Sequence, residues 1–239
     1  MSGHSKWSTI KRQKGASDIK RGNLFTKLSN AITVAVRQGG GVTDPESNFK
    51  LRLVVDRARS ANMPKDNIER AIERAHGGTE GAVEELIYEG FGPGGIAVMV
   101  EAITDNKQRT ASEIKNVFEK NGGSLANPGS VSYLFKKKGI VVVSKNGASS
   151  DELLSKGIEA GVEDMEEEFE RVIYYIDPQN FSQAKTTLEG EGLAVLSAEI
   201  IYEPTAFADQ NQETQVQILK LIEKLEELSD VQKVYTNLA

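Results

Sequence analysis

The sequence predicts a multidomain α+β protein. An N-terminal three-helix bundle is followed by two α/β sandwich domains, of which the later is ferredoxin-like and inserted into the earlier. Three observations predict this. Residues 17–77 carry three amphipathic helical patterns separated by Gly and Pro breaks. Past Gly78 the pattern changes to short apolar runs of strand type alternating with helical ones. A complete strand–helix–strand–helix–strand unit then occupies 136–203, and the lone helix and strand after it need a sheet to join. The expected domains are therefore 1–79, 80–135 together with 204–239, and 136–203.

Met1 to about Ala16 has no sustained periodicity and is rich in Ser, Gly and Lys, so it is expected to be a mobile arm. Leu24, Phe25, Leu28, Ile32, Ala35 and Val36 keep helical spacing from about Asp18 to Arg37, where Gly39-Gly40 ends the helix. Asp44-Pro45 reads as the N-cap and first position of a second helix running to about Asn62, with Leu51, Val54, Val55, Ala58 and Ala61 on one face. Pro64 starts a third, with Ile68, Ala71, Ile72 and Ala75 inward and an Asp66–Arg70 pair outside. Val83–Tyr88 and Ile96–Ile103 are expected strands joined by Gly90-Phe91-Gly92-Pro93-Gly94-Gly95. That loop lacks the lysine and the following helix of a phosphate loop, so it reads as a hairpin turn. A helix to about Asn121, a loop over 121–130 and a strand over Val131–Phe135 follow. In the inserted unit, strands are expected over Ile140–Val143, Glu170–Ile176 and Leu193–Tyr202. Helices are expected over Ser150–Ala160 and from Asp177-Pro178 to about Glu189. The acidic run Glu163–Glu170 lacks the Gly turn and alternating ligands of a calcium loop and reads as a charged strand edge. Val216, Leu219, Ile222, Leu225 and Leu228 mark the last helix, and Val231–Thr236 the last strand.

Charge is divided unevenly. The chain carries −6 overall, yet residues 1–80 hold 15 Lys/Arg against 8 Asp/Glu, and residues 81–239 hold 14 against 27. Up to Arg37 there are eight Lys/Arg and one acid, Asp18. Such asymmetry marks a polyanion-binding end, and a helical bundle with solvated Lys-rich faces would also produce it. Lys6, Lys11, Arg12 and Lys14 in the arm are candidate phosphate contacts. Trp7, between Lys6 and Lys11, can stack on a base or plug the arm onto the bundle. On the first helix Lys20, Lys27, Asn30 and Arg37 fall on one flank beside the apolar stripe, and Arg21 adds to the same basic block.

Much chemistry is excluded. Without cysteine there is neither a disulfide framework nor a thiolate zinc site, which fits a reducing cytoplasm. The two histidines, His4 and His76, offer no triad base, and His76 suits a helix end. No metalloprotease, P-loop or dinucleotide fingerprint is present. No apolar run reaches the ~20 residues of a membrane helix, and the basic start lacks a signal-peptide core. The chain therefore reads as non-enzymatic, with no cofactor and no metal.

Several blocks are specific: Gly3-His4-Ser5-Lys6-Trp7, Lys20-Arg21-Gly22 with Phe25-Thr26-Lys27-Leu28, and Asn62-Met63-Pro64-Lys65-Asp66-Asn67-Ile68-Glu69-Arg70-Ala71-Ile72. To these add Tyr88-Glu89-Gly90-Phe91-Gly92-Pro93-Gly94-Gly95, Gly123-Ser124-Leu125, Pro128-Gly129-Ser130-Val131 and Asp230-Val231-Gln232-Lys233-Val234-Tyr235. They closely resemble the YebC/PmpR family, which includes the mitochondrial translational activator of cytochrome oxidase, and they span essentially the whole chain. One departure is Gly122-Gly123, where a bulkier pair is expected. The resemblance implies a helical domain and two α/β domains, the third inserted in the second. It implies a DNA-binding transcriptional regulator or, alternatively, a ribosome-associated factor that binds rRNA and assists synthesis of difficult stretches such as prolines. A protein partner on the acidic α/β domains is a further expectation.

Overall fold

The structure is a computed structural model that describes residues 18–76 and 83–239, with side chains from 22 to 75 and from 83 onward. The expected arm, with His4, Lys6, Trp7, Lys11, Arg12 and Lys14, lies outside the described residues. So do the side chains of Lys20, Arg21 and His76. The chain divides into two compact units, Met1–Phe135 with Pro204–Ala239, and Lys136–Glu203.

Three helices open the first unit: α1 (Asp18–Gln38), α2 (Phe49–Ser60) and α3 (Lys65–His76). Their apolar stripes meet in one core of Leu28, Ile32, Ala35 and Val36 from α1, Leu51, Val55 and Ala58 from α2, and Ile68, Ala71 and Ala75 from α3. Helix α2 starts later than Asp44-Pro45 suggests. Asp44 instead closes a turn, its carboxylate accepting from the Glu46 N–H (3.0 Å) and the Ser47 hydroxyl (2.9 Å). The cap is the buried Asn48, whose Oδ1 accepts from the Leu51 N–H while its Nδ2 donates to the carbonyls of Ala35 and Val42. Asp177-Pro178 repeats the pattern. Asp177 accepts from the Gln179 N–H at 2.7 Å and the helix begins only after Asn180. Asp followed by Pro satisfies a side-chain turn as well as a cap, and the position of the apolar stripe decides between them. Among the described residues the expected Asp66–Arg70 pair does not form, and Lys65 pairs with Glu69 at 3.4 Å.

The rest of this unit is a four-stranded sheet of order β3-β1-β2-β8, made of β1 (Glu84–Phe91), β2 (Ala97–Thr104), β3 (Ser124–Ala126) and β8 (Val231–Thr236). β1 and β2 form an antiparallel hairpin in which Phe91 pairs with Ala97, and the Gly-rich segment is its turn. Helices α4 (Lys107–Lys120) and α7 (Gln212–Glu226) cover one face, burying Val98, Val100 and Ala102 against Ile114, Phe118, Ile218, Leu221, Ile222 and Leu225. The stripe expected on α7 at every third residue, Val216, Leu219, Ile222, Leu225 and Leu228, is thereby corrected. The buried face follows the 3.6-residue period, and Val216 is 62% exposed. Met99 and Ala97 point to the other face, where α1 packs against β2. The expected strand Val131–Phe135 is a 3₁₀ turn over Ser132–Leu134, and β4 (Phe135–Ser144) begins after it.

The Gly122-Gly123 departure has a steric cause. Gly122 ends α4 with φ +75°, and the Gly123 N–H closes a six-residue ring onto the Phe118 carbonyl (2.9 Å). A Cβ on Gly123 would stand 2.6 Å from the Phe91 carbonyl oxygen, so a bulkier residue there would have to shift β1, whereas Gly122 has its nearest neighbour, Pro93 Cγ, at 3.7 Å and is restricted by its positive φ.

The second unit runs β4, α5 (Ser150–Glu159), β5 (Asp164–Glu167), β6 (Arg171–Ile176), α6 (Phe181–Gly190) and β7 (Val195–Pro204), with sheet order β5-β6-β4-β7. This is a ferredoxin-like arrangement. The acidic run supplies the edge strand β5, and Lys138 pairs with Glu163 at 2.6 Å while Lys145 pairs with Glu167 and Arg171 with Glu168. Tyr174 is fully buried, its hydroxyl donating to the Leu153 carbonyl at 2.7 Å.

We propose that 136–203 is an insertion that folds alone. Expressed by itself, it is expected to give a dispersed amide NMR spectrum, and a collapsed spectrum would overturn that boundary.

Candidate nucleic-acid interface

Of the flank expected on α1, Lys27, Asn30 and Arg37 are all half-buried. Lys27 holds two parts of the fold together. Its Nζ donates to the Glu226 carbonyl at 2.6 Å, and Asn23 Nδ2 donates to the Glu227 carbonyl at 3.2 Å. These are open carbonyls at the C-terminal end of α7, where a cation also meets the negative pole of the helix dipole. Lys27 therefore fastens the bundle to the α/β part of the same unit. Arg52 is committed as well, donating to the carbonyls of Pro45 and Glu46 and pairing with the Glu46 carboxylate at 3.3 Å.

Other cations are left pointing to solvent. Arg57 on α2 and Arg70 and Arg74 on α3 are exposed, and their side chains make no hydrogen bond or ion pair among the described residues. Arg70 and Arg74 are four residues apart, so they share one face of α3, away from the Ile68, Ala71 and Ala75 stripe. Guanidinium groups of this kind suit phosphate oxygens, which they bind through paired N–H donors. Sequence reasoning missed all three. The signal lies in the spacing of Arg70 and Arg74 against the buried stripe, and the apparent Asp66–Arg70 pair hides it.

Two buried carboxylates organise the rest of the unit. Asp230 sits at the start of β8 and accepts from Thr110 Oγ1 (2.6 Å), Arg109 Nη2 (2.7 Å) and Thr104 Oγ1 (3.1 Å). Burial pushes its carboxyl up, but the Arg109, Thr110 and Thr104 bonds outweigh this and hold it below the usual aspartate range. Glu89, on β1, is 5% exposed and faces away from α4 and α7. Its two oxygens accept from the backbone N–H groups of Gly129 (2.7 Å), Val131 (2.6 Å) and Ser132 (2.9 Å). Burial again raises the carboxyl, and the backbone donors win, leaving it below the usual glutamate range. Among the described residues no group of three or more His, Asp or Glu is placed to hold a metal ion.

Comparison with known proteins adds the family. A profile described as the TACO1/YebC protein N-terminal domain matches residues 5–78, and one described as the TACO1/YebC second and third domain matches 83–238. The chain belongs to the TACO1/YebC family. A relative from Rubrobacter xylanophilus is 51% identical over 239 residues, covering 99% of this chain and 95% of its own length, and one from Geobacillus thermodenitrificans is 49% identical over 241 residues, covering 100% and 97%. Both carry the name "Probable transcriptional regulatory protein". The crystal structure of a conserved hypothetical protein from Aquifex aeolicus matches with a TM-score of 0.88 at 45% identity, covering 98% of this chain and 97% of that one. The junction between the two matched profiles, at 78–83, falls where helical periodicity gives way to the first strand.

The Glu89 geometry fixes an expectation. Glu89→Gln places an NH₂ group among three N–H donors and should destabilise the unit by about 1–3 kcal/mol near neutral pH. Because the folded-state pKa is depressed, the wild-type advantage is full above the ordinary carboxylate pKa of ~4.3 and is lost as pH falls through the lower folded value. Urea midpoints of both proteins between about pH 3 and pH 7 check this; a constant gap across that range would contradict it.

Proposed function

We propose that this chain is a non-enzymatic nucleic-acid-binding regulator that acts in the cytoplasm on DNA to control transcription. The observation that carries the reading is the set of exposed arginines Arg57, Arg70 and Arg74, without partners among the described residues, on a helical region that already holds the positive end of the chain. Phosphate contacts from such groups supply the salt-dependent part of nucleic-acid affinity. In this reading Lys6, Lys11, Arg12, Lys14, Lys20 and Arg21 supply further phosphate contacts and Trp7 a base contact. The names of the relatives agree with a regulatory role. The inserted unit holds 7 Lys/Arg against 14 Asp/Glu and would repel phosphate, which leaves it to a protein partner. No helix among the described residues is long and apolar enough to cross a membrane.

One observation favours a second reading, a ribosome-associated translation factor that binds rRNA. Helix α3 follows α2 after a short turn, the position of a recognition helix, yet its exposed face mixes Lys65, Arg70 and Arg74 with Asp66, Glu69 and Glu73. Three carboxylates pressed into a major groove would face the phosphate potential, whereas RNA is held through shape and backbone contacts at its surface.

A competition titration of the purified protein at ~150 mM salt separates the two. Specific DNA binders favour their site by ~10³-fold or more. A promoter fragment preferred over scrambled duplex by that margin is the result expected of a transcriptional regulator. Equal binding to both, with co-sedimentation on ribosomes, would overturn it in favour of translation.

A further inference from the structure

Between Lys120 and Lys136 the chain has no charged side chain. Asn121 to Leu134 consists of Asn, Gly, Ser, Pro, Ala, Val, Leu and one tyrosine. The segment is held firmly. β3 pairs with β1 over Ser124–Ala126, and the Glu89 carboxylate takes the N–H groups of Gly129, Val131 and Ser132. Val131 is fully buried, and the Leu134 carbonyl accepts from both the N–H and the hydroxyl of Thr205 (2.8 and 3.1 Å). Outward from this frame stand the exposed Asn127, Pro128 and Gly129 and the ring of Tyr133, which is 73% exposed and whose side chain makes no hydrogen bond or ring contact among the described residues.

A buried carboxylate fixing three amides of one turn is a strong device for holding a loop in one shape, and the shape it holds leaves an aromatic face in water. We propose that the 127–133 loop is a binding loop for unpaired nucleobases, with Tyr133 as the stacking platform. The proposal rests on the nucleic-acid reading above and narrows it, since stacking on a side chain requires a base released from its duplex. The loop fits that ligand on three counts. Its ring is unencumbered, the Glu89 carboxylate beneath it is turned inward and satisfied by backbone donors, and the Asn127 amide offers both a donor and an acceptor to a base edge. It belongs to the same compact unit as Arg57, Arg70 and Arg74, so one molecule supplies a charged contact for the backbone and a neutral contact for a base.

These two contacts have different signatures. Losing an arginine contact flattens the dependence of affinity on salt by ~0.7–0.9 per phosphate, whereas losing an uncharged stacking contact lowers affinity at every salt concentration equally. The test uses the full chain and a single-stranded oligonucleotide carrying 2-aminopurine, whose fluorescence is quenched on stacking, with the duplex of the same sequence beside it. Wild type and Tyr133→Phe should both bind and quench. Tyr133→Ala should lose the quenching and at least about fivefold in affinity for the single strand, with the salt slope unchanged and duplex binding intact. A triple Arg57→Gln, Arg70→Gln, Arg74→Gln variant should flatten the slope and keep the quenching of whatever is bound. If Tyr133→Ala binds and quenches like wild type, the stacking role is wrong while the basic surface stands, and an exposed Tyr133 that serves a protein partner would give that outcome. If wild type binds neither strand form, the nucleic-acid reading itself falls, and this proposal with it.

Discussion

The first unit depends on a chain that leaves and comes back. Its sheet is complete only when β8, the last strand, pairs with β2, and everything in 136–203 intervenes. The join is fastened by one buried carboxylate. Asp230 brings together Thr104 at the end of β2, and Arg109 and Thr110 in the first turn of α4. The hydrogen bonds to the charged group hold it in place, and an unpaired charge there would cost more than any one of them returns. At the far end of the strand the Asn237 side chain accepts from the Ala97 N–H at 2.9 Å. A long excursion between paired strands adds little closure entropy, because that cost grows only with the logarithm of length. An insertion at this point is therefore compatible with a stable sheet.

Once β8 is home, α7 is in place, and its open carbonyls receive Lys27 and Asn23 from α1. The basic helices, the neutral 127–133 loop and the sheet thus share one body. The acidic excess lies mainly in the other unit. The first unit as a whole is near balance, with 22 Lys/Arg against 21 Asp/Glu, and its positive excess is concentrated in residues 1–80, a distribution that bears on association and specificity more than on fold.

Much of this is legible in the sequence, for physical reasons. The stripes Leu28–Ile32–Ala35–Val36 and Ile68–Ala71–Ala75 are periodic enough to be read directly, and Val231–Thr236 can be assigned to the earlier sheet because a lone strand cannot stand alone. The misreadings come where one local pattern serves two structures. Asp-Pro opens a turn instead of a helix twice, and the short apolar stretch 131–135 becomes a 3₁₀ turn because Glu89, 42 residues before Val131, claims its amides. No local pattern announces such a long-range partner. The candidate site is harder still. Net charge marks the basic end, but which cations are committed depends on tertiary partners: Lys27 is taken by α7 and Arg52 by the 45–46 turn, while Arg57, Arg70 and Arg74 stay in solvent.

The first unit is proposed as the nucleic-acid-binding body. Hydrogen exchange of the full chain with and without a single-stranded oligonucleotide tests it most directly. Exchange should slow around Arg57, Arg70 and Arg74 and across 127–134, with 136–203 unchanged. Slowing confined to 136–203, or none anywhere under saturating oligonucleotide, would contradict it.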